Sequence, residues 1–183
     1  MSITVMGCDM GTKNFGVTLI KAAVVDGKFR FKIIGTKMMV CMIHDVKVAQ
    51  KEVGPFLTEF AKLPNVDHIA AERYQPRPGR GGNTTVESIS MMLGCLLVAR
   101  QQTPIEFYTA ATWKNAFNRT AASLPDMYED TKKEKGFVIH QLDSFLIAVY
   151  HAAKILKVQP FDFISSYKDE SRLVEMLKNA KKL

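Results

Sequence analysis

The opening of the chain alternates apolar and polar residues, a pattern typical of half-buried strands. Strands are predicted over Ile3–Asp9, Phe15–Lys21 and Phe29–Met38. A tight turn at Gly11–Asn14 separates the first two strands, and the Asp26-Gly27 pair between apolar runs predicts a hairpin before the third. Strands joined by such short connections run antiparallel, so the sheet is predicted to begin with three antiparallel strands.

Further along the chain the apolar spacing becomes helical and alternates with short apolar runs. Helices are predicted over 44–63, about 84–102, 110–117 and 136–156, and buried strands over 66–72 and 105–108. The Gly54-Pro55 pair is expected to kink or break the first helix, and Thr84 or Thr85 to cap the second. The order βββ-α-β-α-β-α-α predicts an α/β fold with one mixed five-stranded sheet flanked by helices.

Length and composition are those of an ordinary single-domain globular protein. The 183 residues are 47% hydrophobic and 23% charged, and we divide them into a domain over 1–158 and a C-terminal extension over 159–183. No apolar run reaches the about 18 residues that a membrane span needs, and the N-terminus lacks the basic start of a signal peptide. A cytoplasmic or other intracellular location is expected, with no membrane partner. The net charge of +7 favours an anionic partner.

Two carboxylates are placed where strands are predicted to end. Asp9 lies in GCDMGTKNFG at the end of the first strand, and Glu72 follows the apolar run VDHIAA. Burying either charge is costly unless a cation or a hydrogen-bond donor compensates it. A turn-capping role for Asp9 and a salt bridge between Glu72 and Arg73 are the simpler explanations, although neighbours on a strand point to opposite faces.

Two more candidate ligands lie on the last predicted helix. His140 and Asp143 share one face of the apolar segment HQLDSFLIAVYHAAK, where a surface His and a capping Asp are the alternatives. Together with Asp9 and Glu72 they form a set of oxygen and imidazole ligands that suits Mg²⁺ or Mn²⁺ rather than zinc, because no cysteine joins it. Paired metal ions can promote in-line displacement at a phosphate, so two Mg²⁺ ions per active site are predicted.

Basic residues follow the second acid directly. The segment RYQPRPGRGG over 73–82 contains three arginines and no acid, and its prolines and glycines predict a loop. Guanidinium groups make bidentate contacts to phosphate, so the loop is expected to bind DNA; a solvated loop that only aids solubility is the alternative. With a lysine in the Asp9 turn and two in the KKEK segment, the DNA-binding candidates are Lys13, Arg73, Tyr74, Arg77, Arg80, Lys132 and Lys133.

In the order and spacing of these motifs, the chain resembles the RuvC-type Holliday junction resolvases over roughly residues 3–158. The resemblance implies that the domain is an RNase H-like nuclease domain, and it assigns catalytic metal ligation to Asp9, Glu72 and Asp143. His140 matches a position that holds His or Asp in different members. The segment FYTAATWK repeats the family's Tyr-to-Lys spacing, which implies a catalytic position for Lys114 near the scissile phosphate.

The resemblance also implies a substrate and an assembly. It predicts a magnesium-dependent endodeoxyribonuclease that resolves four-way or other branched DNA. The segment TTVESISMMLGCLLVAR resembles the helix of the family's dimer interface, so a homodimer through Met91, Met92 and Leu96 is expected. Bacterial members carry an aromatic residue three after the Glu, where this chain has Gln75, with Tyr74 one earlier. The run ERYQPR is closer to viral and mitochondrial branches, and this leaves the cleavage-sequence preference open.

Three other functions were weighed against this one. A YqgF-like ribonuclease has a similar opening, but lacks a strand ending in AER followed by an arginine-rich loop. A sugar-kinase or actin-like ATPase uses a related Asp-x-Gly-Thr turn, but needs two such domains. A non-catalytic branched-DNA-binding protein would have no use for buried carboxylates. The ribonuclease and the non-catalytic binding protein remain the alternatives.

Overall fold

The computed structural model describes residues 1–11, 14–40, 46–74, 83–117, 139–158, 179–180 and 182–183. Five strands lie within them: β1 Ser2–Met10, β2 Asn14–Val25, β3 Lys28–Val40, β4 His68–Arg73 and β5 Ile105–Thr109. The helices are α1 Val46–Ala61, α2 Asn83–Ala99, α3 Ala110–Ala116 and α4 Ile139–Ile155.

The strands form one sheet in the order β3-β2-β1-β4-β5. β1, β2 and β3 pair antiparallel as two consecutive hairpin connections require, whereas β4 pairs parallel to β1 and β5 parallel to β4. The predicted mixed five-stranded sheet is confirmed. The two parallel pairings set the position of the site, because they bring the carboxyl ends of β1, β4 and β5 to the same edge.

Several predicted boundaries differ from the structure. β2 and β3 extend towards the hairpin tip at Asp26 and Gly27 beyond the predicted strands. α1 runs without interruption through Pro55, since Gly54 and Pro55 both face solvent, where water can satisfy the carbonyl that proline leaves without a donor. α2 already includes residues 84 and 85, so the predicted capping role for these threonines is wrong, and the helix ends at Ala99 rather than near residue 102.

Each face of the sheet has its own apolar core. On one face, α4 packs over β1 and β2, with Phe145, Leu146 and Val149 fully buried beside Trp113 of α3. On the other face, α1 and α2 cover an apolar cluster of the sheet, formed by Met6, Cys8, Met10, Phe15, Val17, Leu19 and Met39. Among the described residues, no helix is long and apolar enough to cross a membrane.

The predicted C-terminal extension over 159–183 lies largely outside the described residues. Its end contacts the sheet: Lys182 forms a parallel bridge with Thr36 at the open edge of β3, and the amide of Leu183 donates to the carbonyl of Thr36 at 3.2 Å. The Leu183 side chain packs against the core beneath α1 and α2. The last residues of the chain are therefore attached to the five-stranded sheet.

Candidate active site

Asp9 and Glu72 lie together because the strands that carry them are parallel neighbours. Cys8 on β1 pairs with Ala71 on β4, so the following residue of each strand reaches the same edge of the sheet. Asp9 is buried, with 5% of its surface exposed, and Glu72 is half-buried. Two acidic side chains thus share a site with little access to water.

Helix α4 reaches these acids because glycines let it lie directly on the sheet. A Cβ atom added at Gly7 or at Gly16 would overlap the backbone of α4. Gly16 is the cross-strand partner of Asp9, so the helix passes close to the acid itself. This contact places His140 and Asp143, from the first turns of the helix, over the strand end. A larger residue at either glycine would hold the helix away.

Buried hydroxyl groups hold the same part of α4 in register. The hydroxyl oxygens of Thr18 on β2 and Ser144 on α4 are 2.8 Å apart, and Thr18 also lies 3.2 Å from the hydroxyl of Thr36. The side-chain amide of Gln141 donates to Thr36 at 3.2 Å. Because these bonds are directional and buried, they orient the helix face that carries the candidate ligands.

His140 is bonded to the central acid. Its Nδ1 lies 2.5 Å from Oδ2 of Asp9, and its ring rests against Gly11, where an added Cβ would be 2.9 Å from Cε1. The hydrogen bond to Asp9 raises the pKa of His140 against the opposing effect of burial, and the charges of Asp9, Asp143 and Glu72 raise it further. The surrounding acids therefore favour the protonated form of the imidazole, which would compensate part of their negative charge.

Glu72 is held by the indole of Trp113. The buried Nε1–H of Trp113 donates to Oε2 of Glu72 at 2.9 Å. Burial, followed by the charge of Asp9, raises the pKa of Glu72 to about 7, although the bond from Trp113 and the charge of Lys114 lower it. Asp143 adds a smaller repulsion. A nearby cation would favour the ionised form of this carboxyl group.

The third acid is paired with a lysine from α3. Nζ of Lys114 lies 3.3 Å from Oδ2 of Asp143, which is 5% exposed, and 4.8 Å from the centroid of the Trp113 ring. α3 follows β5 without a loop, because Thr109 caps it by accepting a hydrogen bond from the amide of Thr112. This direct connection places Trp113 and Lys114 at the same sheet edge as the acids.

The donor set fits a hard divalent cation. The carboxylates of Asp9, Glu72 and Asp143 are ligands of the kind that Mg²⁺ and Mn²⁺ prefer, and His140 adds an imidazole to the set. Within the described parts of the chain, no three such side chains are already arranged around a common metal position. His140 is instead bonded to Asp9, and Lys114 to Asp143. In this conformation His140 and Lys114 each pair with one acid, and they offset part of the negative charge of the site.

The predicted DNA-binding residues are only partly described. Arg73 ends β4 directly beside Glu72 and is exposed, and Tyr74 is half-buried. The remaining candidates lie outside the described residues: Lys13, Arg77, Arg80, Lys132 and Lys133. The structure therefore places the start of the arginine-rich segment at the site, and nothing more of it.

Three contributors to the site were missed by the sequence reasoning. Trp113 was not assigned a contact with the acids, and neither Gly7 nor Gly16 was linked to helix packing. A signal existed for Trp113, because the only tryptophan of the chain immediately precedes the candidate lysine. A signal also existed for the glycines, since glycine inside a predicted strand marks a close approach of another backbone.

Comparison with known proteins gives a consistent result for the fold. No protein-family model and no curated protein sequence matches the chain. Similar solved structures include RuvC of Thermus thermophilus in complex with a Holliday junction substrate, with a TM-score of 0.62 and 19% identity over 83% of this chain and 96% of that chain. Another Thermus thermophilus RuvC structure has a TM-score of 0.62 and 17% identity, over 84% of this chain and 96% of that chain.

Identities this low establish architecture rather than activity. The strand order, the three antiparallel strands and the flanking helices agree with the fold predicted from the motifs. The chain therefore has the RNase H-like fold of the RuvC resolvases.

Proposed function

We propose that this protein is a metal-dependent endodeoxyribonuclease that resolves four-way junctions or other branched DNA. One observation carries the proposal: Asp9, Glu72, His140 and Asp143 meet at one sheet edge, with Lys114 beside them. Such acids can hold metal ions that promote hydrolysis of a phosphodiester. The similar Thermus thermophilus RuvC was solved with a Holliday junction substrate, which supports the choice of substrate.

The residues of the chain have distinct parts in this proposal. Asp9, Glu72, His140 and Asp143 would hold two Mg²⁺ ions, for which Mn²⁺ could substitute. Bound Mg²⁺ would supply an activated water and neutralise charge on the phosphate. Lys114 lies where its ammonium group can contact that phosphate. We assign binding of the DNA backbone to the arginine-rich segment, beginning with the exposed Arg73.

A homodimer is the second part of the proposal, because a four-way junction offers two symmetric strands to cut. The predicted contacts need correction: Met92 and Leu96 are fully buried against the sheet and cannot form an interface. Helical periodicity identifies an apolar stripe but not what covers it, so the intramolecular face was mistaken for the outer one. The outer face of α2 leaves Leu97 46% and Val98 71% exposed, next to the exposed residues Ser90 and Gly94. We assign the interface to this face.

A cleavage assay tests the proposed reaction directly. Purified protein is incubated with a four-way DNA junction, a linear DNA duplex and an RNA duplex, each with Mg²⁺, Mn²⁺ or a chelator. We expect cuts in the junction only when a metal is present, and loss of cutting in Asp9→Asn. Glu106→Gln removes an exposed carboxylate on β5 and serves as the matched control.

The same assay separates the alternatives. Cleavage of RNA in preference to junctions would favour a ribonuclease, and tight metal-independent binding without cuts would favour a non-catalytic junction-binding protein. For the dimer, the molecular mass in solution is compared between the native chain and Val98→Glu. A monomeric native protein at working concentration would refute the assigned interface.

A further inference from the structure

The sheet face that lies under α1 and α2 changes character along its length. Near the carboxyl end of β1 it is apolar and buried, as shown by Met6, Val17 and Leu19. Towards the β2–β3 hairpin tip, beyond the part covered by described elements, the same face exposes Lys21, Lys28, Arg30 and Lys32. We call these four residues the basic hairpin face.

Strand register places the four cations on one surface. In β3 the sequence KFRFK alternates, so Phe29 and Phe31 pack towards α4. The three cations that alternate with them point to the opposite face. Cations two residues apart on this strand are separated by about 6.8 Å. Lys21 joins them from β2, because it is the direct cross-strand partner of Lys32.

This arrangement is electrostatically unfavourable in the free protein. Like charges directly opposite each other on neighbouring strands destabilise a sheet. Among the described residues, none of the four cations forms an ion pair. Asp67 attracts Lys21 electrostatically while its carboxylate accepts hydrogen bonds from the amide and hydroxyl of Thr4, so the charge of Lys21 is partly offset. The three cations of β3 form no ion pair among the described residues, and an anionic surface would relieve the repulsion that remains.

Protection of an edge strand is the competing explanation. Lysines on an exposed edge prevent other chains from pairing with it, and β3 is an edge strand. That role accounts for Lys28, Arg30 and Lys32. It does not account for Lys21, since β2 is paired on both sides by β1 and β3. A cation on the interior strand, opposite another cation, points to recognition of an anionic surface.

We propose that the basic hairpin face binds the sugar-phosphate backbone of a duplex DNA arm, as a contact separate from the active site. This inference rests on the proposed function, which supplies DNA as the substrate. Lys21 is opposite Thr4, and Thr4 is five residues from Asp9, so the face lies about 17 Å along β1 from the site. It also lies on the sheet face opposite α4. A contact at that position suits an arm that leaves the junction, not the strand being cut.

Binding to a short unbranched DNA duplex, in chelator and without metal, tests the surface independently of cleavage. The variant Lys28→Gln/Arg30→Gln/Lys32→Gln is compared with Lys51→Gln/Lys62→Gln/Lys157→Gln, which removes the same charge from exposed positions elsewhere. Affinity is measured over a range of salt concentrations. We expect the hairpin variant to lose about 0.9 of the log–log salt slope per lost phosphate contact, which is roughly fivefold in affinity per contact at 0.15 M salt. The loss of affinity and of salt slope in the control variant should be smaller than that expected for one phosphate contact.

Lys21→Gln gives a second measurement, which separates stability from binding. Removing its charge relieves the repulsion from Lys32 but also removes the attraction to Asp67, so the melting temperature should change little while affinity for the duplex falls. Equal affinity losses in the hairpin and control variants would overturn the proposal, and so would aggregation of the hairpin variant with unchanged affinity. Loss of junction cleavage in Asp9→Asn bears on the proposed function alone, because this binding assay contains no metal.

Discussion

Helix α4 carries two histidines with similar local bonding and opposite electrostatics. Nδ1 of His140 lies 2.5 Å from a carboxylate oxygen of Asp9, and Nδ1 of His151 lies 2.7 Å from the hydroxyl of Tyr108. The bond to Asp9 raises the pKa of His140, whereas burial lowers the pKa of His151 to about 4. On the same helix, the surroundings of His140 favour its protonated form and those of His151 favour its neutral form.

The contrast shows which kind of burial indicates a functional site. His151 is the more buried of the two, its Nε2 has no hydrogen-bond partner among the described residues, and its neighbours are aromatic rings and Lys154. It behaves as a neutral core residue. Among the described residues, His140 lies near three acids, Asp9, Asp143 and Glu72, and Lys114 is paired with one of them. A cluster of like charges, rather than burial alone, distinguishes the candidate site.

The largest effect is expected from Asp9→Asn, which removes the negative charge that raises the pKa of His140. Loss of a central metal ligand should cost about 4 kcal/mol of transition-state stabilisation, or about 10³-fold in kcat for junction cleavage. DNA binding should persist, since less negative charge then faces the phosphates. Single-turnover cleavage and binding in chelator measure the two properties separately.

An NMR titration of the same variant tests the electrostatic comparison itself. Because the bond to Asp9 is the largest cause of the raised pKa of His140, that pKa should fall in Asp9→Asn while the pKa of His151 stays low. Equal cleavage by Asp9→Asn and native protein would remove Asp9 from the mechanism. An unchanged His140 titration would show that the comparison is misassigned.

Gly7→Ala should disturb both histidines at once, because it separates their helix from the sheet. The added methyl group would overlap the backbone of α4 and come within 2.8 Å of the amide nitrogen of Ala148. We expect a loss of about 3 kcal/mol or more in the free energy of unfolding. Gly54→Ala is the matched control: nothing lies within 4 Å of the added Cβ in α1, and alanine favours a helix by up to about 1 kcal/mol. Similar destabilisation in both variants would show that the contact between Gly7 and the backbone of α4 is not the cause.

The strands and the ligand types were predictable because they follow local rules. The alternation of apolar and polar residues predicted β1, and the Asp26-Gly27 pair predicted the hairpin. The positions of Asp9 and Glu72 at strand ends predicted where the two acids would meet. Parallel pairing of β1 with β4 then determines one common edge. The three-residue spacing of His140 and Asp143 on an apolar helix made them candidates, and the family resemblance then matched both to ligand positions.

The rest of the site depends on contacts between distant parts of the chain. The bond from Trp113 to Glu72 spans 41 positions, and the bond from His140 to Asp9 spans 131. No spacing rule links such pairs. Similarly, the stripe on α2 contains Met92 and Leu96 whether it faces the sheet or a second chain, and only the three-dimensional packing identifies the inner face. Local patterns therefore predict elements better than partners.

The pH dependence of stability tests the second histidine of α4, His151, whose pKa is lowered. The pKa of His151 is about 4 in the folded state and 6.5 in its usual range, so between these values the unfolded chain binds more protons. Its contribution is fully present above pH 6.5 and is lost as pH falls, by up to about 3 kcal/mol at pH 4. Glu72, whose pKa is raised to about 7, acts in the opposite direction, but equally in native and variant proteins.

His151→Gln isolates this effect, because glutamine keeps a hydrogen-bonding group but does not titrate. Unfolding in denaturant at several pH values gives the difference in stability between native protein and variant. That difference should shift towards the variant as pH falls from 6.5 to 4. A difference that is flat over this range would mean that His151 is not held neutral by the fold.

The smallest effect is expected from Trp113→Phe, which leaves the charges around His140 in place and alters only the orientation of one acid. Phenylalanine retains a buried ring but cannot donate to Glu72, so the carboxylate loses the indole donor that lies at 2.9 Å. Loss of an outer hydrogen bond to a metal ligand weakens metal affinity by about 10- to 100-fold. The Mn²⁺ concentration for half-maximal binding, measured by calorimetry, should rise accordingly, while affinity for duplex DNA in chelator should not change. Phe60→Leu, a buried aromatic change in the opposite core, should lower stability without moving the Mn²⁺ midpoint. If both variants shift that midpoint equally, Trp113 supports the fold and does not position Glu72.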